Sequence, residues 1–329
     1  MNIQISVIIP FNNYPVFEKC VKHLRQSTFK NYEIIGVANI SKDSSRKIIK
    51  TNYTKVIIIN KNYGVGYSRN LGAKFAKGKI ITYLDSDTLI QKNALTKIYK
   101  CFSDKDVNVL QGVYTHFFNY KNIFTNFLQS YIYFYVFSPK IKFTRTLVTH
   151  LISIRKNIFF LLGGFNNKSK IYVYDEELGY NLLKKKIKIK IRQDIKALHD
   201  ININFIQFVK RTFFMHVAHT KLFLRKKSFM LKINQKNYNS IFFSIILVFI
   251  LILASIIKII FDYDNYYYLL NLINLSFLIV NFPYLRFLYK KRSFIFCVQI
   301  YPIIYLHRFL MILSLFCGLF SFFILNKKY

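Results

Sequence analysis

The sequence predicts an α/β domain built on a mostly parallel sheet, followed by helices that cross a membrane. Three observations carry this expectation. Short β-branched runs alternate with helix-periodic stretches through the first hundred or so residues, three uncharged apolar stretches lie in the last hundred, and a dense basic segment separates the two regions. The composition agrees, because 53% hydrophobic residues and a net charge of +35 in 329 residues require apolar and basic character to be segregated along the chain.

The elements follow in order. Ile5-Ser6-Val7-Ile8-Ile9 is a β-branched run closed by Pro10, the pattern of a buried parallel strand. Over residues 16–28, Phe17, Cys20, Val21 and Leu24 recur at helical spacing, so a helix comes next. A second strand is expected at 32–37, a helix at 44–50 and a third strand at 55–60. Gly64 and Gly66 mark the start of a helix over 67–76, and a fourth strand over 79–84 ends at Asp85. A helix at 94–102 leads to a strand at 107–114. Residues 117–137 mix aromatics with Asn, Gln, Thr and Lys121, which reads as an interfacial helix and not a span. After the apolar residues 151–155 and the turn Gly163-Gly164-Phe165, the acidic Asp175-Glu176-Glu177 opens a helix to about residue 186.

Strands alternating with helices at these intervals imply right-handed crossovers and a parallel sheet, with its site beyond the carboxyl ends of the strands. Residues 10–13, 38–43, 60–66 and 85–87 are therefore expected to meet in one cleft.

Residues 237–257, 265–285 and 309–326 contain no charge. Each stretch is close to the roughly 20 residues that a bilayer-crossing helix needs. The expected division is a cytosolic domain with interfacial segments over 1–236 and a membrane domain of two to three helices over 237–329. The basic residues from Lys184 to Lys236, opposed only by Asp194 and Asp200, read as a juxtamembrane cluster drawn to anionic lipid and mark the cytoplasmic side. On the same rule Lys290-Lys291-Arg292 is cytosolic and Asp262-Tyr263-Asp264 lies on the far side. Residues 294–306 contain Pro302 and precede His307-Arg308, so they are expected to lie along the interface before a last span at about 309–325. His307 and Arg308 either snorkel from a helix end or contact a lipid phosphate. His216 and His219, among aromatics, read as interfacial.

No helix-turn-helix, zinc-finger or ribonucleoprotein signature accompanies the basic excess, so no nucleic-acid partner is expected. The four cysteines form no CxxC pair and read as buried thiols. The apolar N-terminal stretch 5–10 is too short for a signal peptide, which leaves the N-terminal domain in the cytosol.

Asp85-Ser86-Asp87 stands at the end of an apolar strand. Carboxylates at i and i+2 can hold a hard divalent cation between protein and diphosphate, although by itself such a triplet more often caps a helix. Here it has company. Residues 6–13 (SVIIPFNN), 62–72 (NYGVGYSRNLG) and 77–87 (KGKIITYLDSD) resemble, in order and spacing, the family 2 glycosyltransferases, and Gly163-Gly164-Phe165 and Asp175-Glu176-Glu177-Leu178 resemble that family's acceptor-side segments. The resemblance covers about residues 4–200.

It implies a GT-A fold, a Rossmann-like nucleotide-sugar-binding domain, with Mn2+ or Mg2+ as cofactor. Pro10, Asn12 and Asn62 would border the donor, Arg69 and Asn70 would lie near its base or diphosphate, and Asp85 and Asp87 would contact ribose, metal and diphosphate. His199 follows a stretch where related membrane enzymes place a histidine near the metal. Gly163, Gly164 and Phe165 would face the acceptor, and Asp175, with Glu176 as the fallback, would deprotonate its hydroxyl in a single inverting displacement. One position departs from the family pattern. Where the family carries an Asp pair after the second strand, this chain has Ala38-Asn39, so Asn39 would meet the base without charge, while Asp43 keeps its place.

The implied function is transfer of a sugar from a nucleotide-sugar donor to a lipid-linked saccharide or glycolipid, in cell-surface polysaccharide or lipopolysaccharide assembly. The expected location is the inner membrane, multi-pass, in contact with membrane lipids and with the catalytic domain on the cytoplasmic face. Transfer to polyprenyl phosphate is the enzymatic alternative, and an inactive basic membrane scaffold is the non-enzymatic one. A processive synthase is disfavoured because residues 207–211 lack the Gln-x-x-Arg-Trp motif and the chain has no Trp.

Overall fold

A computed structural model describes residues 3–39, 55–115, 120–137, 142–144, 147–167, 172–226, 236–261 and 266–327. The expected helix at 44–50, together with Asp43 and residues 262–264, lies outside the described residues. The chain divides into two compact units, one of residues 1–117 and 136–201 and the other of residues 118–135 and 202–329. The segment 118–135 joins the C-terminal helices in the second unit.

The first unit contains β1 (Ile5–Phe11), α1 (Tyr14–Arg25), β2 (Tyr32–Asn39), β3 (Lys55–Ile59), α2 (Val65–Phe75), β4 (Ile80–Leu84), β5 (Thr88–Ile90), α3 (Ala94–Cys101) and β6 (Val109–Tyr114). The second unit takes α4 (Ile123–Tyr135), after which the first resumes with β7 (Phe143–Thr144), β8 (Leu151–Arg155), α5 (Lys156–Leu161), α6 (Tyr174–Lys184) and β9 (Ile189–His199). The second unit continues with α7 (Phe205–Lys226), α8 (Lys236–Phe261), α9 (Tyr266–Lys291) and α10 (Phe294–Phe323).

The described strands form one sheet in the order β3-β2-β1-β4-β8-β6-β9-β5, with β7 also on β9. β1 pairs in parallel with β2 and β4, β2 with β3, and β6 with β9, as the alternating pattern requires. Central β1 and β4 are buried throughout, which their continuous apolar runs foretell. The sheet is mixed, its parallel core agreeing with the mostly parallel sheet expected. β8 inserts antiparallel between β4 and β6, and β5 and β7 run antiparallel to β9. For β5 the reason is local: the short turn from β4 leaves no length for a helical crossover, so the strand reverses direction.

Much of the basic segment is built into two elements. In β9, buried Ile189, Ile191, Ile195 and Ala197 alternate with Lys190, Arg192 and Lys196, apart from an irregularity opposite Gly112/Val113. α7 takes up much of the rest.

The predicted helix over 117–137 forms as α4, within 123–135. Among the described residues three helices are long and apolar enough to cross a membrane, at Asn239–Ile260, Tyr266–Lys291 and Phe294–Phe323. The stretch 294–306, set apart in expectation on account of Pro302, is continuous with the last span. α10 runs unbroken through that proline, started by the Ser293 hydroxyl, which accepts from the Phe296 amide at 3.2 Å. Proline costs a membrane helix little when neighbouring helices pack around the bend. Within this unit Asn281 donates to Ser244 at 3.0 Å, Tyr305 bonds Asn274 at 2.6 Å, and Tyr305 stacks on Phe277 with ring centres 3.8 Å apart.

Candidate active site

The site lies in the first unit, at the carboxyl ends of β1 and β4. Asp85, Ser86 and Asp87 make the turn between β4 and β5, closed by the Thr88 amide donating to the Asp85 carbonyl at 3.0 Å. Both aspartates keep about a third of their side chains exposed, at 33% each, on an otherwise buried strand end. The Asp200 amide donates to the Asp87 carbonyl at 2.7 Å and ties the turn to the end of β9.

That tie brings His199 to Asp87. The imidazole Nε2 stands 3.4 Å from Asp87 Oδ2, and the ring, 5% exposed, lies flat on Tyr114 with centres 4.5 Å apart. His150 stacks on Tyr114 at 3.8 Å, and burial, aided by His199, holds its pKa well below the usual histidine range. One carboxylate and one imidazole at this spacing suit adjacent positions on a divalent ion of the Mn2+ kind, whose neighbouring ligands sit about 3 Å apart. Among the described residues no group of three His, Cys, Asp or Glu side chains could hold an ion by itself.

Arg69 does not open onto the cleft. It is 1% exposed, reaches Asp85 through Nη2, and lies over the rings of Tyr174 at 5.0 Å and Phe165 at 5.6 Å. It also bears electrostatically on Asp175, at the start of α6. Arg69 therefore stands between the turn of β4 and the acidic helix start, and holds Asp85 in place.

Asp175 is fixed from two sides. The Glu176 amide donates to its Oδ1 at 3.0 Å, and the buried Thr149 hydroxyl donates to Oδ2 at 3.4 Å. Burial, then the charge of Glu176, push its pKa up to about 6 against the pull of Arg69. Val173 begins this helix with φ of 59°, a conformation rare for a β-branched residue. Glu177, 5% exposed, accepts from Asn166 at 2.9 Å and anchors the helix instead of facing a substrate.

Asn70 and the turn at Gly163-Gly164-Phe165 form a single device. Asn70 Oδ1 accepts from the Phe165 amide at 2.9 Å, and its Nδ2 donates to the Phe165 carbonyl at 2.8 Å. A Cβ on Gly164, which has φ of 70°, would come 2.6 Å from Asn70 Oδ1, so this glycine allows the approach. Beside the turn is a cavity of about 260 Å³ whose lining includes Tyr67, Leu71, Phe159 and Phe160.

The remaining expected residues take these places. Pro10 is buried near the end of β1, and Asn12 is exposed just beyond it. Asn62 accepts from the Gly64 amide at 2.9 Å and shapes the entry to α2. Ala38 is fully buried on β2 against Phe11 of β1, and Asn39 is the last residue of that strand, paired with Ile59. Sequence reasoning missed Thr149, Tyr114 and Tyr174. Tyr174, adjoining the acidic cluster, had a signal; the other two meet Asp175 and His199 only through contacts distant in sequence.

Residues 6–160 match the family model described as glycosyl transferase family 2. Glycosyltransferase GlyG of Streptococcus pneumoniae serotype 4 is 33% identical over 142 residues, 41% of this chain and 44% of that protein. The Campylobacter jejuni GalNAc(5)-diNAcBac-PP-undecaprenol beta-1,3-glucosyltransferase is 30% identical over 102 residues, 29% of this chain and 33% of that protein. The matched region thus spans less than half the length of these relatives. In fold, the chain is similar to the mannosyltransferase PcManGT from Pyrobaculum calidifontis, solved in complex with GDP-Man and Mn2+, with a TM-score of 0.58 at 13% identity over 98% of this chain and 88% of that one. Sheet order and family match agree: residues 6–160 are similar to glycosyl transferase family 2, and the chain has a GT-A-like fold.

Proposed function

We propose that the chain is an inverting glycosyltransferase that moves a sugar from a nucleotide-sugar donor to a lipid-linked saccharide or glycolipid in cell-surface polysaccharide assembly. The observation that carries this reading is the gathering of Asp85 and Asp175 about one buried arginine, with Asp87 on the same turn and paired to His199. The C. jejuni relative, whose name places a diphosphate-linked undecaprenol in its substrate, and the three apolar helices support a membrane-held acceptor.

In this reading Asp87 and His199 would hold the divalent ion, Mn2+ or Mg2+. When bound, such an ion neutralises charge on the departing nucleoside diphosphate. Arg69 keeps Asp85 oriented toward the donor while the 163–165 turn, clamped by Asn70, positions the acceptor side. Asp175 takes the proton of the acceptor hydroxyl. The hydroxyl oxygen then bonds to the anomeric carbon as the bond to the diphosphate breaks, its electron pair leaving with the phosphate. Thr149 holds the carboxylate in line for that transfer.

Detergent-solubilised protein, screened with nucleotide sugars, is expected to release nucleoside diphosphate only with Mn2+ or Mg2+, and chelation should abolish release. Asp87→Ala is expected to reduce turnover by at least about 100-fold with an unchanged circular dichroism spectrum. Full turnover by that variant would overturn the reading. A glycosyl phosphate in place of a new glycosidic bond would instead assign transfer to polyprenyl phosphate.

A further inference from the structure

The second unit buries a cation that none of its described residues neutralises. Arg308, near the middle of α10, is 0% exposed. Its Nη1 donates to Nδ1 of His307 at 2.8 Å and reaches the Tyr131 hydroxyl at 3.5 Å. Because arginine only donates, His307 Nδ1 must be the acceptor, so this contact supplies no negative charge. Nε and Nη2 are buried with no hydrogen-bond partner, as are both ring nitrogens of His216, whose ring lies 5.3 Å from that of His307. The described residues of the unit include no Asp or Glu.

Nε–H and Nη2–H form the side-on fork of the guanidinium, spaced for two oxygens of one phosphate or carboxylate. The position of the cluster selects between them. Phe208 of α7 packs against His307, with ring centres 6.3 Å apart, and the next turn of α7 carries exposed Lys210 and Arg211. Exposed charges are expelled from hydrocarbon, and α10, with 30 residues, is about ten longer than a span requires, so its first turns stand clear and this level of the bundle lies at the polar surface of the bilayer, where lipid phosphates lie. The finding also separates the two sequence-based readings of Arg308: a fully buried guanidinium is not snorkelling.

We propose that Arg308, with His307 and His216 beside it, binds the phosphate of an anionic lipid. The site stands on the helical unit alone and holds whether that lipid is the sugar acceptor or a component of the bilayer, so it does not depend on the catalytic reading.

The test uses the full chain in a neutral maltoside detergent, with native mass spectrometry as the readout and dodecyl phosphate, dodecanol and inorganic phosphate as probes. Wild type is expected to retain one dodecyl phosphate saturably and to ignore dodecanol. Arg308→Gln should weaken that binding by about tenfold or more. The surface pair Lys210→Gln and Arg211→Gln should weaken it by no more than about threefold. Equal binding by Arg308→Gln, at an unchanged thermal midpoint, would overturn the proposal. So would uptake by wild type that never saturates, and inorganic phosphate held as tightly as the lipid would move the assignment to a free anion. Should Arg308→Gln fail to fold, Arg308→Lys keeps the charge and loses the fork. Weakened binding there supports the site, and unchanged binding refutes it.

Discussion

Asp175 shows how burial converts an ordinary carboxylate into a group suited to taking a proton near neutral pH. Burial and the neighbouring Glu176 raise its pKa to about 6 although Arg69 pulls the other way. A base must be ionised to act, so kcat/KM should climb as pH rises through about 6 and level off above it, and Asp175→Asn should lose both the climb and the activity. The same shift has the opposite sign for stability. The folded chain holds this proton more tightly than the unfolded one, so the contribution is present at acid pH and is lost as pH rises through about 6. The thermal midpoint of Asp175→Asn should therefore gain on wild type between pH 4 and pH 8 in paired melts; a constant difference would show that Asp175 is not the buried group. Asn70 offers a second case. It bonds both the amide and the carbonyl of Phe165, so Asn70→Ala should cost about 1–3 kcal/mol in denaturant unfolding, and nucleotide affinity should change less than acceptor KM.

Elements were legible wherever one period dominated their residues. β1 and β4 were found from continuous apolar runs, and α1 from Phe17, Cys20, Val21 and Leu24, all four buried on one face. β9 was missed because its outward lysines and arginine looked like a basic flank, although isoleucines alternate with them from Ile187 to Ile191. Charge masked a period of two. The stretch 294–306 was set apart from a last span at about 309–325 because it holds Pro302 and ends at His307-Arg308, yet neighbouring helices pack around these residues and α10 runs on. One contact makes that packing testable. A Cβ at Gly318 of α10 would fall 2.7 Å from Thr220 Cβ of α7, so Gly318→Leu should destabilise the detergent-solubilised protein by about 1–3 kcal/mol. The same residue placed at Phe320, which is 55% exposed, should shift the melt far less.

For the whole molecule, three apolar helices predict retention in the membrane fraction through alkaline carbonate washing. The basic loop at Lys290-Lys291-Arg292 predicts that a cysteine placed there is labelled only from the cytoplasmic side; labelling from the far side would reverse the proposed orientation. The sequence by itself determined the class of fold, the carboxylate turn at residues 85–87 and the apolar C-terminal third, because strand and span lengths and local periodicity are properties of neighbouring residues. Only the tertiary structure decided that Arg69 faces Asp85 and not an open cleft, that Asn70 grips a turn 95 residues away, and that Arg308 is buried without a carboxylate among the described residues of its unit. Each of these depends on which groups meet after strands and helices pack, and the strength of a charge or hydrogen bond is set by the burial that packing creates.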